Sequence, residues 1–352
     1  MSVCFYYFSG TGYTKWLVGT AIEQIKKAGG KIKGCYDMAT EELPAEEPEG
    51  AVGLMQREAL SDLVVVVPVY FWGLPAKAVK QMNKMPYVAG RKVALWVTSA
   101  GYPAYAPYQA VGILKDRGYV VSDIQRFKMP DTFLPLASSQ EKGFKITQKL
   151  AQAQQQVEAA LPLLSKTEPV VEKKSLLSCL TIPGYYVMYF TLRHCLGFSF
   201  MATERCNRCR WCVRNCPVGC ISMKHSAPEW SVGCTMCFRC VNGCPVQAIE
   251  MSWLSFVFGL AGAFFSWGLL YFSLAFLGSA FLSLLTVAVL PFGYLAGVLG
   301  FQKAVPFLLS RLKLERTYLL TSKKRVQAPQ KDLPSLLKED MMPSDDMKGS
   351  LE

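Results

Sequence analysis

Eight of the thirteen cysteines fall into two runs of identical spacing. The runs read Cys206-x2-Cys209-x2-Cys212-x3-Cys216-Pro217 and Cys234-x2-Cys237-x2-Cys240-x3-Cys244-Pro245. Three thiolates at two-residue spacing let one tight loop bind three irons of a [4Fe–4S] cluster, while the fourth iron takes a cysteine from the other run. A zinc site uses two cysteine pairs and would leave half of these thiolates unexplained. The spacing therefore predicts two [4Fe–4S] clusters.

The two runs resemble those of bacterial-type two-[4Fe–4S] ferredoxins, and the resemblance extends over residues 201–250. It implies a small α+β domain in which each run lends its last cysteine to the other cluster. The ligands would be Cys206, Cys209, Cys212 and Cys244 for the first cluster, and Cys234, Cys237, Cys240 and Cys216 for the second. Cys220 could compete for an iron, but both quartets are complete, so we expect it to be a small buried residue.

A second motif lies near the N-terminus, where a predicted strand ends and a predicted helix begins. It reads Ser9-Gly10-Thr11-Gly12-Tyr13-Thr14. Backbone N–H groups and three hydroxyls converge there, at a helix N-terminus whose dipole favours an anion. The segment matches neither the GxGxxG fingerprint nor the GK[ST] ending of nucleotide-binding loops. We expect it to bind a phosphate group.

This motif resembles the flavodoxin phosphate loop, [ST]-x-T-G-x-T, and the resemblance covers about residues 1–165. It implies FMN at the C-terminal ends of the strands of a doubly wound parallel sheet. Two further loops, residues 68–73 and 98–102, would hold the isoalloxazine ring. The candidate residues in these loops are Tyr70, Trp72, Gly73, Ser99, Gly101 and Tyr102. The alternative is that aromatic side chains here pack against a neighbouring domain, which we favour for Tyr105 and Tyr108.

The elements that position the phosphate motif follow from the hydrophobic periodicity of the first 165 residues. Short apolar runs predict strands at residues 3–8, 63–67, 92–98 and 119–127, and a weaker strand at 31–36. Amphipathic helices lie between strands and close the region, which is typical of parallel βαβ units. The stretch 41–49, with Pro44 and Pro48, is expected to be a solvated loop.

Residues 251–302 contain no Asp, Glu, Lys, Arg or His. This run is more than twice the roughly 20 apolar residues that cross a bilayer as a helix. It divides near Gly278-Ser279 into 254–277 and 280–301, and so predicts two transmembrane helices forming a hairpin. Basic residues after the second crossing place both flanks in the cytoplasm. We expect a multi-pass protein of the cell membrane, with its redox domains and both termini cytoplasmic, where reducing conditions disfavour disulfides.

Two segments flank the predicted ferredoxin domain and hairpin. Residues 166–200 are rich in apolar and aromatic residues but contain Pro183, Arg193 and His194. A crossing there would put the clusters and the flavin on opposite sides of the membrane. We therefore expect an apolar linker that is interfacial or packs between domains. Residues 303–352 are expected to form a basic cytoplasmic segment that continues, from about Lys331, as a disordered tail.

The net charge of +12 limits the kinds of partner that the chain could bind. The basic residues of the chain are spread over several segments, which disfavours nucleic-acid binding. Five arginines lie within or beside the cysteine runs, namely Arg205, Arg208, Arg210, Arg214 and Arg239. They could be a solvated face, or they could meet an acidic partner or anionic lipid head groups. We favour the second interpretation.

Flavin and clusters in one chain predict an electron relay, because a cluster passes single electrons while a flavin holds one or two. The arrangement resembles a flavodoxin–ferredoxin fusion family of anaerobic bacteria and archaea over residues 1–250. We expect a membrane-anchored carrier of low-potential electrons that serves a membrane-associated redox protein and contacts membrane lipid. The alternatives are a flavin-dependent oxidoreductase acting on a small molecule or quinone, and a redox-sensing interaction protein. No catalytic acid or base is evident from the sequence.

Overall fold

The computed structural model describes residues 1–43, 62–132, 143–165, 168–170, 175–187, 197–224 and 227–251, and a few isolated positions between 261 and 297. Several predictions lie largely outside these residues: the loop at 41–49, the hairpin at 254–277 and 280–301, and the segment 303–352. No helix within the described residues is long and apolar enough to cross a membrane.

A five-stranded parallel sheet forms the first part of the structure. Its strands are β1 (Ser2–Tyr7), β2 (Lys31–Asp37), β3 (Asp62–Pro68), β4 (Lys92–Ser99) and β5 (Val120–Lys128). They lie in the order β2-β1-β3-β4-β5, and every neighbouring pair is parallel. This is the flavodoxin-like order, whose switch point lies between β1 and β3. The predicted doubly wound sheet with a flavodoxin-like fold is confirmed.

Helices cover both faces of the sheet. They are α1 (Tyr13–Lys27), α2 (Ala76–Met82), α3 (Ala106–Asp116) and α4 (Gly143–Ala160), the last followed by a 3₁₀ turn at Leu161–Ser165. Side chains alternate along a strand, so Phe5 of β1 packs with α1 and α4, while Tyr6 packs with α2 and α3. The residues of β3 from Leu63 to Val67 are all buried, as expected for a central strand covered on both sides.

A smaller α+β unit contains the cysteine runs. Its strands are β6 (Phe200–Ala202), β7 (Ile221–Lys224), β8 (Ala227–Trp230) and β9 (Ile249–Met251), and its short helices are α6 (Trp211–Arg214) and α7 (Arg239–Gly243), which follow α5 (Leu176–Val187) in the chain. Strand β6 pairs with β9, and β7 pairs with β8, both antiparallel. Because its first and last strands pair, the unit is closed and has a hydrophobic core of its own.

Candidate functional site

The phosphate motif lies between β1 and α1, as predicted. Gly12 precedes the helix with φ 104°, a left-handed conformation that favours glycine, and its carbonyl accepts the helix's first bond from Trp16 N at 2.8 Å. The buried Ser9 Oγ accepts a bond from Lys15 N at 3.2 Å. Thr14 Oγ1 lies 3.0 Å from Thr98 Oγ1 at the end of β4. The first turn of α1 contains no acidic side chain, so nothing there opposes a bound anion.

The loop after β3 is a tight turn built from aromatic residues. Tyr70 N donates to Gly73 O at 2.8 Å, and Gly73 N donates to Tyr70 O at 3.1 Å. The two residues between them, Phe71 and Trp72, have φ of 50° and 67°. Left-handed turns of this length usually contain Asn or Gly, and other residues are strained by about 1–3 kcal/mol each. Such strain is typical of functional sites. The Trp72 side chain is half-exposed.

The loops at the C-terminal edge of the sheet enclose a cavity of about 320 Å³. Nine of the predicted FMN-binding residues line it: Gly10, Thr11, Tyr13, Thr14, Tyr70, Trp72, Ser99, Gly101 and Tyr102. The other three, Ser9, Gly12 and Gly73, do not line it but shape the phosphate motif and the aromatic turn. The cavity is also lined by residues 129–132 after β5 and by residues 236–238 of the second cysteine run. The segment after β5 was predictable, because all parallel strands end at the same edge.

Helix α5 packs against the loops of this cavity. The Tyr102 hydroxyl lies 2.8 Å from Ser175 Oγ and 2.7 Å from Ser178 Oγ. The Tyr105 ring centroid is 5.5 Å from that of Tyr185. A Cβ added at Gly73 would overlap the Tyr185 ring, so glycine is needed there to let α5 approach. Tyr102 and Tyr105 therefore both contact the neighbouring helix, and Tyr102 contacts the cavity as well.

The two cysteine runs have the same backbone conformation. Arg208 and Arg210 have φ of 60° and 58°, and Met236 and Phe238, at the equivalent positions of the second run, have 52° and 57°. A left-handed backbone conformation costs free energy at a residue other than glycine, and four such residues persist only where the surrounding structure holds them in place. The internal repeat is therefore structural and extends beyond the cysteine spacing.

Cysteines of the two runs are neighbours of one another in the structure. Burial, together with the neighbouring thiols of Cys244 and Cys206, raises the pKa of Cys212 to about 11. Burial also raises the pKa of Cys237 to about 11, with Cys216 of the other run among its charged neighbours. Each run thus has the last cysteine of the other run among its neighbours, and the Arg239 guanidinium beside Cys237 partly offsets the effect of burial on that thiol.

The second group surrounds an internal cavity. Cys216, Cys234, Cys237 and Cys240 all line it, and so does Cys220, whose Sγ is 3.6 Å from Cys216 Sγ. Five thiols without a carboxylate or imidazole suit soft metals and iron–sulfur clusters. The cavity that they line is small, about 10 Å³. Among the described residues, no three His, Cys, Asp or Glu side chains converge to bind a single metal ion; a cubane instead spreads its thiolates over four irons.

The second cysteine run contacts the phosphate motif directly. A Cβ added at Gly10 would lie 2.7 Å from Cys237 Cβ. Arg239 Nη1 donates to the carbonyl oxygen of Ser9 at 3.4 Å. No feature of the sequence pointed to this contact, which joins the cavity and the cysteine loop into one site.

The chain was compared with protein-family profiles, curated proteins and solved structures. No protein-family profile and no curated protein matches the chain. Among solved structures, two-electron reduced Megasphaera elsdenii flavodoxin is similar at 18% identity and a TM-score of 0.29, with 44% of this chain and 98% of that one covered. General stress protein 14 of Treponema denticola, solved in complex with FMN, is similar at 12% identity and a TM-score of 0.28, covering 47% and 100%.

A Klebsiella pneumoniae protein described as a quinone reductase is similar at 15% identity and a TM-score of 0.31, covering 49% of this chain and 88% of that one. Likeness at this level does not carry a functional argument. The strand order itself defines the class, an α/β protein with a flavodoxin-like fold.

Proposed function

We propose that this chain is a membrane-anchored electron-transfer protein that exchanges electrons between FMN, two [4Fe–4S] clusters and a membrane-associated redox partner. One observation carries the proposal. Cys237, a predicted ligand of the second cluster, lines the cavity formed by the phosphate motif and the ring loops. A cluster held by that thiol would lie beside a flavin in the cavity, and short separation is what electron exchange requires.

The residues of the cavity fit FMN. Thr11 and Thr14, with the backbone N–H groups that open α1, would hold the phosphate, while the buried Ser9 would shape the loop through its bond from Lys15 N. The aromatic turn at Phe71 and Trp72 and the half-exposed Tyr102 would flank the ring, where aromatic faces disfavour the added charge of a reduced flavin. When bound, FMN supplies a centre that accepts one or two electrons.

Electron transfer is favoured over direct reduction of a small molecule by what covers the cavity. Met236, Cys237 and Phe238 line it from the second unit, in space that a substrate would need for stacking on the ring. Among the lining residues that the structure describes, Asp131 is the one ionisable carboxyl, and none is His, Lys or Arg. The hydroxyls of Tyr13, Tyr70 and Tyr102 also line the cavity, so the loop that covers it, and not a lack of proton donors, favours electron transfer.

Membrane anchoring rests on the charge-free run 251–302, and two further observations support it. A Cβ added at Gly262 would lie 3.1 Å from Gly297 Cα and even closer to the carbonyl oxygen of Gly293. Such glycine contacts are typical of closely packed membrane helices. Leu176, Leu177 and Leu180 of α5 are exposed, as suits a helix at a membrane interface.

The test is anaerobic purification of the full chain in detergent, with iron, sulfide and flavin quantified and the clusters examined by electron paramagnetic resonance. We expect about eight irons and one FMN per chain, and recovery in the membrane fraction until detergent is added. Reduction of the clusters should be followed by reduction of the flavin within the same molecule. Absence of flavin, or rapid steady turnover with a soluble quinone, would contradict the proposal.

A further inference from the structure

The two cysteine runs are structural repeats whose surroundings differ. An offset of 28 residues places Arg208 and Arg210 at the positions that Met236 and Phe238 occupy in the second run. All four residues have left-handed backbone conformations. The repeat thus presents the same loop twice, once with two apolar side chains and once with two cationic ones.

The second loop is an interface within the chain. Met236 and Phe238 are 3% and 2% exposed and line the cavity of the flavodoxin-like unit. Arg239 beside them donates to Ser9 of the phosphate motif. A loop tethered to its partner by the same chain needs no electrostatic steering, and apolar contact is sufficient to hold it.

The equivalent first loop is open. Residues 207–210, which we term the arginine loop, are all exposed, including Cys209, whose counterpart Cys237 faces the cavity. Within the described part of the chain, Arg208 and Arg210 form no ion pair. Arg214 donates to the carbonyl oxygen of Cys209 at 3.0 Å and adds a third positive charge.

Acidic groups near the arginine loop do not cancel this charge. Glu250 pairs with Arg205, so that pair is neutral and leaves the other arginines unaffected. Glu204 is exposed nearby in the sequence. Within the described stretch 204–214, the unbalanced guanidinium groups of Arg208, Arg210 and Arg214 therefore outnumber the carboxylate of Glu204.

We propose that the arginine loop is the docking face for an acidic one-electron redox protein, so that electrons pass between that partner and FMN through the first cluster and then the second. This inference rests on the proposed function. A transient partner must find the loop by diffusion, and complementary charge raises the rate of such encounters. A lipid surface could bind the same charges but could not exchange electrons with a centre held by Cys209.

The test compares charge variants of the full chain in a zwitterionic detergent. Arg208→Asn with Arg210→Asn removes two charges, and Asn tolerates the left-handed backbone. The probe is a soluble flavodoxin of net negative charge, used without FMN for binding and with FMN for electron transfer by stopped flow. We expect the double variant to associate about 10-fold more slowly at low ionic strength, and the difference to vanish at high salt.

A matched control removes the same charge elsewhere. Lys27→Asn with Lys115→Asn changes two exposed lysines of the flavodoxin-like unit and should leave the association rate unchanged. Arg208→Lys with Arg210→Lys keeps the charge and should also keep the rate. Arg208→Asp with Arg210→Asp should slow the acidic probe further and accelerate a basic c-type cytochrome.

Two results would overturn the inference. One is a wild-type association rate with the acidic flavodoxin that does not fall as salt is raised, a measurement that needs no variant. The other is a double Asn variant that keeps this rate but loses binding to phosphatidylglycerol vesicles, which would make lipid the partner. Iron and flavin are quantified in every sample: a wild-type chain without iron would refute the proposed function, whereas loaded variants with unchanged binding would refute only the docking face.

Discussion

Gly10 is where the phosphate motif and the second cysteine run touch, so Gly10→Ala tests the proposed relay directly. A methyl group there would overlap the Tyr70 hydroxyl and lie 2.7 Å from Cys237 Cβ. Unstrained carbon contacts are about 3.5–4.0 Å. The cysteine loop must therefore move by roughly 1 Å, a shift that follows from these two separations.

The free-energy cost of this shift can be estimated from methyl insertions into other well-packed proteins. Inserting a methyl group into a well-packed region costs typically about 1–3 kcal/mol. If the strain falls on the FMN-bound state, affinity for FMN should weaken by roughly 5- to 150-fold. If the strain instead separates the two units, affinity should be kept while electron exchange between cluster and flavin slows.

Three measurements separate these outcomes: thermal unfolding, FMN titration into the flavin-free protein followed by fluorescence quenching, and flavin reduction after rapid reduction of the clusters. Gly112→Ala is the matched control, because Gly112 lies on α3 outside the cavity and a Cβ there would meet nothing within 4 Å. We expect the control to keep the FMN affinity and flavin reduction of the wild type. A Gly10→Ala protein with unchanged stability, FMN affinity and flavin reduction would refute the contact between the two units.

Four further substitutions have definite expected outcomes. Gly73→Ala should release α5, because the new methyl group overlaps the Tyr185 ring, and limited proteolysis should then cut near residues 175–187 sooner. Cys220→Ala should keep the full iron content, whereas Cys216→Ala should lose iron from the second cluster, as measured by metal analysis. Burial raises the pKa of Asp37 above its usual 3.8, so its ionisation opposes folding and the wild type loses stability as pH rises through the interval above 3.8. Asp37→Asn should therefore stabilise the protein at pH 7, with the gain disappearing in denaturant titrations at acidic pH.

A specific result would contradict each of these predictions. Equal protease sensitivity of the Gly73→Ala and wild-type proteins would mean that α5 does not depend on this contact. Iron loss in Cys220→Ala would make that thiol a ligand. An Asp37→Asn gain that is constant from acidic to neutral pH would show that desolvation of the carboxylate is not its cause.

Much of the first domain could be predicted because its signals are local. Apolar runs such as Leu63–Val67 predict a strand buried on both faces, and the motif from Ser9 to Thr14 predicts a strand-to-helix turn. Parallel strands all end at one edge of the sheet, so the loops at 68–73 and 98–102 had to meet. Most of the predicted cavity residues follow from this rule, which also covers the overlooked segment after β5 but not residues 236–238 of the second cysteine run.

The cysteine spacing likewise determines much by itself. Two runs of identical spacing predict a structural repeat. The repeat is seen in the left-handed backbone angles of Arg208 and Met236, two residue types that do not favour this conformation. Left-handed conformations at such residues are sustained by the surrounding structure and not by the residues themselves.

What the sequence by itself determined is therefore the sheet, the phosphate motif and the repeat of the two cysteine runs, since each depends on periodicity or spacing within a short stretch of chain. Only the tertiary structure decided that Cys237 of the second run lines the cavity beside the phosphate motif and that the arginine loop stays open. Contacts such as Gly10 with Cys237 join residues more than 200 positions apart. They depend on how two separately folded units fit together, and no local pattern encodes that fit.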